Sequence, residues 1–88
     1  MTITQKFDLL VKALEKAKVP CKVVLGEFGG TPEISIQLGW NYPDRLLDKS
    51  WDAVKVAGLD ETEYSICAES HGGKILQSKL VSGGPKRY

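Results

Sequence analysis

The sequence predicts an α+β domain: an N-terminal helix packed on an antiparallel sheet of about four strands arranged as two hairpins, with a second helix or an extra strand between them. Three observations predict it. Apolar residues recur at helical spacing over residues 2–18. Two β-rich pairs of runs, at 21–40 and 64–81, are each divided by a glycine turn. The hairpin turns are too short to join parallel neighbours, which favours an antiparallel sheet.

The first element is amphipathic. Phe7, Leu10, Val11, Leu14 and Ala17 form one stripe, widened by Leu9 and Ala13, while Lys6, Asp8, Lys12, Glu15 and Lys16 fall opposite. Thr2 followed three residues later by Gln5 matches a capping box. Lys16 and Lys18 suit the negative end of the helix dipole, and Pro20 ends the helix and biases Val19 to an extended backbone.

Residues 21–28 then read as a strand apolar on both faces, with Val23 and Leu25 on one and Val24 on the other. After the turn Gly29-Gly30-Thr31-Pro32, residues 33–40 alternate cleanly, placing Ile34, Ile36, Leu38 and Trp40 on one face. This is the pattern of a strand with one buried and one wetter face. Asn41-Tyr42-Pro43-Asp44 breaks it. Residues 44–58 fit a helix capped by Asp44 and closed by Gly58, with Leu47, Trp51, Val54 and Gly58 on one face and Leu46, Ser50 and Ala57 flanking it; they also fit a strand through the alternation of residues 51–56, or one turn at 44–47 followed by a strand. Residues 59–63 form a polar connection, and 64–81 form the second hairpin around Ser70-His71-Gly72-Gly73. Residues 1–81 are expected to make a single compact domain and 82–88 a flexible C-terminal tail.

The chain of 88 residues has room for one core, and its apolar and charged fractions, 42% and 26%, are those of an ordinary globule. A net charge of +1 lacks the basic excess usual in nucleic-acid modules. No apolar run is long enough to cross a membrane, and the N-terminus lacks the layout of a signal peptide, so residence in the cytoplasm is expected. Cys21 and Cys67 are too few for a disulfide scaffold or a zinc finger and are expected to be free thiols.

Two short resemblances mark the chain. Gly58-Leu59-Asp60-Glu61-Thr62-Glu63-Tyr64 resembles the tyrosine corner of fibronectin type III domains, but it is one residue short and follows a segment those domains lack. The order of helix, strand, glycine turn and strand over residues 2–40 is similar to the first half of double-stranded RNA-binding domains. The basic helix start that those domains turn on phosphates is absent from residues 43–58.

Candidate chemistry is sparse. His71-Gly72-Gly73-Lys74 offers backbone N–H groups and a charge to an anion, yet it reads completely as a hairpin turn. Cys67 and His71 suggest a nucleophile and base, but four residues of extended strand separate them by about 13 Å. One histidine and two cysteines make too small a ligand set for zinc, so no metal and no cofactor are expected. Asp60, Glu61 and Glu63 read as a solvated acidic loop.

The aromatic–basic stretch Trp40, Tyr42, Arg45, Lys49 and Trp51 holds the residue types enriched at binding hot spots. The leading expectation is therefore a small non-enzymatic binding protein, of the kind carried by phages and mobile elements, that docks on a partner protein and modulates or inhibits it through these five residues. One alternative is a nucleic-acid-binding module using Lys12, Lys16, Lys18 and Lys22 with Lys86 and Arg87 of the tail. Another is a thiol-dependent factor using Cys67 and His71. The chain is expected to be a monomer, or a homodimer through an edge strand.

Overall fold

The computed structural model describes residues 1–68 and 73–88. Helix α1 (Ile3–Ala17) starts at the capping box read from the sequence: Gln5 N–H donates to Thr2 Oγ1 at 3.2 Å and Thr2 N–H donates to Gln5 Oε1 at 2.8 Å. It ends at Lys18, whose backbone is left-handed with φ 57° and whose N–H closes the last turn. Val19 N–H then donates to the Leu14 carbonyl at 3.1 Å, and both side chains are buried.

Strands β1 (Cys21–Phe28) and β2 (Thr31–Gln37) form the first hairpin as expected. The register sets Val23 opposite Ile36 and Leu25 opposite Ile34, so one face of the hairpin is continuously aliphatic. A two-residue strand, β3 (Gly39–Trp40), follows, and then α2 (Asp44–Ala57). The helical alternative for 44–58 is therefore the observed one, except that Asp44 is its first helical residue and the N-cap is Pro43, which has no polar side chain to cap with. Gly58 closes α2 in the left-handed conformation, φ 71°. The buried face of α2 is Leu46, Ser50, Ala53, Val54 and Ala57, turned away from the Leu47–Trp51 stripe expected from the sequence. Two alanines allow α2 to lie close against α1, and Ser50 satisfies its hydroxyl by donating to the Leu46 carbonyl at 2.8 Å.

Strands β4 (Tyr64–Cys67) and β5 (Lys74–Val81) complete a four-stranded sheet in the order β4-β2-β1-β5. The α+β class and the N-terminal helix over four strands are as predicted. The pairing of the last two strands differs from a second hairpin. β4 runs parallel to β2, and β5 runs antiparallel to β1, so the two strands occupy opposite edges and the sheet is mixed. The reason lies in α2. A helix between β2 and β4 is the kind of crossover that lets neighbouring strands run parallel. It leaves the far edge of β1 for β5.

Both helices cover one face of this sheet. Phe7, Leu10 and Leu14 of α1, Leu46, Val54 and Ala57 of α2, and Val23, Leu25, Ile34 and Ile36 of the sheet form one cluster. Tyr64 and Ile66 of β4 pack against it. On the opposite face Val24 and Ser35 are also buried. The C-terminal residues, expected to form a flexible tail, include a short strand β6 (Lys86–Arg87) that pairs in parallel with β3, and Tyr88 N–H donates to the Trp40 carbonyl at 3.3 Å. Among the described residues no helix is long and apolar enough to cross a membrane.

Candidate functional site

The five residues of the aromatic–basic stretch do not converge. Trp40 lies on β3 and is 49% exposed, and Trp51 lies on α2 and is 48% exposed. Tyr42 packs partly against the core. Arg45 and Lys49 are one turn apart on α2 and lie on one flank of it, whereas Trp51 falls on the other flank at 100° per residue.

The flank carrying Lys49 faces α1 across an open groove of about 520 Å³. Its lining alternates by helical spacing. Leu9, Ala13 and Ala17 come from α1, and Ala53 and Val56 come from α2. Ala53 is buried at the bottom of the groove, whereas Leu9, Ala13, Ala17 and Val56 lie at the edges of the two buried stripes and stay partly or largely exposed. Lys12, Lys16, Lys49 and Asp52 rim the groove. Lys49 also donates from Nζ to the Ala17 carbonyl at 3.4 Å, at the C-terminal end of α1. Sequence reading found Lys49 through its aromatic neighbours, and it assigned Leu9 and Ala13 to the core-facing stripe. The groove itself was missed because the stripe found for α2 was rotated, so Ala53 and Val56 were not set against α1.

The lysines of the nucleic-acid alternative are also spread over the fold. Lys12 and Lys16 lie on α1, and Lys18 is its cap. Lys22 alternates with the core-facing Cys21 and Val23, so it points from the sheet face away from the helices. Lys86 and Arg87 lie on β6.

The cysteines occupy different environments. Cys21 is fully buried in β1, and burial pushes its thiol up to about 12. Cys67 is half-buried on β4, with Sγ 3.1 Å from Ser35 Oγ. The intervening strand β2 and their opposite faces keep the two sulfurs apart, and the two cysteines form no disulfide. His71, the partner proposed for Cys67, lies outside the described residues. Among the described residues no group of three or more His, Cys, Asp or Glu side chains is placed to hold a metal ion.

The acidic loop has a structural explanation. The Thr62 hydroxyl donates to Asp60 Oδ1 at 2.6 Å and the Thr62 N–H donates at 2.9 Å, which holds the Asp60 carboxyl below the usual carboxylate range. Glu63 accepts from Lys6 Nζ at 2.9 Å through each oxygen. This ion pair ties the first turn of α1 to the turn that launches β4.

Compared with known protein families, with curated proteins and with solved structures, the chain matches none of them.

Proposed function

We propose that the protein is a non-enzymatic binding module that docks an acidic amphipathic helix of a partner protein in the groove between α1 and α2, and modulates the partner by occupying that helix. One observation carries the reading. The groove combines an apolar floor, built largely of alanines, with a rim of three lysines and one aspartate. A floor of small side chains lets an incoming helix approach closely. Apolar anchors at i, i+3, i+4 and i+7 are the usual way a helix fills such a groove. The lysine excess favours carboxylates flanking those anchors and repels a basic helix.

Selection of binders from a displayed helical-peptide library tests this, followed by NMR titration of the selected peptides. Enriched sequences are expected to combine the helical apolar spacing with Asp or Glu on both flanks, and to shift the resonances of Leu9, Ala13, Ala53 and Val56. Enrichment of basic peptides, or shifts confined to the indoles of Trp40 and Trp51, would place the docking surface elsewhere and overturn the reading.

A further inference from the structure

The outer edge of β5 carries a different surface. All residues from Lys74 to Leu80 are exposed, and Ile75, Leu76 and Leu80 are among the large apolar side chains left on the surface, at 56%, 48% and 59% exposure. β5 bonds to β1 on one side only, and among the described residues nothing pairs with its other side. We infer that two copies of this chain pair antiparallel through β5, about a twofold axis at Ser78, joining their sheets into one.

The register follows from parity and charge. A twofold axis perpendicular to a continuous sheet pairs residues that share a face, so it must pass beside a residue rather than between two. Ser78 and Leu80 pair with Val24 and Lys22 of β1 and share their face, which is the one away from the helices. Leu76 is the residue without a β1 partner at the bulge between Leu25 and Gly26, and strand alternation carried back two residues from Ser78 places it on the same side.

With the axis at Ser78, Leu76 meets the second copy's Leu80 and Leu80 meets its Leu76. Gln77 meets Lys79, and Ser78 meets itself. Every apolar side chain of the central five residues then has an apolar neighbour, and no lysine opposes a lysine. An axis at Lys79 sets two ammonium groups against each other, and an axis at Gln77 sets Leu76 against Ser78 rather than against Leu80. Like charges directly opposite destabilise an antiparallel pair, whereas matched apolar pairs stabilise it. The lysines that deter indiscriminate strand addition at this edge therefore also select one register. So short a seam falls below the roughly 1,200 Å² of stable interfaces, and the dimer it makes dissociates on dilution.

Sedimentation velocity over a concentration series tests the pairing. Wild-type protein is expected to move from 9.7 kDa toward twice that mass as concentration rises into the millimolar range. Ser78→Lys and Ser78→Glu each put like charges on directly opposed residues whose Cα atoms lie about 5 Å apart, and each is expected to raise the dimer dissociation constant about tenfold. An equimolar mixture of the two variants should restore association, because the charges are then opposite. Ser78 is exposed, and circular dichroism of each variant checks that it keeps its fold. A wild-type chain that stays monomeric throughout assigns the edge to no second copy and overturns the inference. So does a dimer that neither substitution weakens, or variants that fail to recover on mixing.

Discussion

Gly39→Ala probes how the C-terminal residues are held. Gly39 has φ 99°, a conformation that costs a residue with a side chain about 1–2 kcal/mol. An added Cβ would also collide with the Lys86 carbonyl oxygen and lie 2.9 Å from the Lys86 nitrogen. Both obstacles are backbone, so no side chain can swing away. The collision is relieved only if β6 leaves β3, which loses a short parallel pair and the Tyr88–Trp40 hydrogen bond. At about 1 kcal/mol net per hydrogen bond, that loss is about 1–2 kcal/mol. The sum is about 3 kcal/mol, or a fall in Tm of roughly 12–24 °C for a domain of this size.

Thermal denaturation measures the fall, and amide exchange locates it: the Tyr88 amide loses protection while those of β1 keep their order. Repeating the substitution in a chain ending at Pro85 isolates the strain, which should then cost only about 1–2 kcal/mol. An equal cost in both backgrounds, or a Tyr88 amide that stays protected in the Gly39→Ala variant, would refute the proposed collision.

Two further predictions concern single side chains. Lys18→Gly should stabilise the protein by about 1 kcal/mol in urea denaturation, because Lys18 caps α1 with a left-handed backbone that glycine adopts without strain. Cys21, whose buried thiol is held neutral to about 12 against 9.0 for a free thiol, should resist alkylation in the folded protein while Cys67 reacts faster. Burial raises the folded value, so this contribution to stability is complete below pH 9 and declines as pH rises from 9 toward 12. Denaturation of Cys21→Ala alongside the wild type should show a shallower decline between pH 9 and 12 in the variant than in the wild type.

Much of the fold was legible because its signals are local. The Thr2–Gln5 box, the Phe7–Leu14 stripe and the alternation of Ile34 and Ile36 each involve residues a few positions apart, and the structure shows all three. The partner of β4 was not legible in the same way. Tyr64 and Ile66 announce a strand with one apolar face, but nothing within that strand distinguishes β5 from β2 as its neighbour. The decision belongs to α2, and 44–58 carried both helical and strand patterns.

The groove was hidden for a related reason. Reading Trp51 into the buried stripe rotated α2 by most of a quarter turn, since large apolar residues weigh more in a pattern than alanines. The structure does the reverse: Ala53 and Ala57 face inward because α1 lies close, and Trp51 stays half-exposed. The twin-glycine turn drew attention to His71, whereas the acidic loop read as solvated proved to carry the Lys6–Glu63 tie between α1 and β4.

The proposed docking rests on the lysine rim of the groove selecting an acidic helix. The most direct measurement is the affinity of a selected acidic helical peptide, and of its charge-reversed counterpart, for the wild-type chain and for a Lys12→Glu, Lys16→Glu double variant. Both lysines are exposed, and Lys16→Glu, in the last turn of α1, costs about 0.3–1 kcal/mol against the helix dipole, which circular dichroism of the variant checks. Docking in this groove predicts that the variant loses at least about tenfold in affinity for the acidic peptide and gains affinity for the basic one. Equal binding of the acidic peptide by both chains would contradict it.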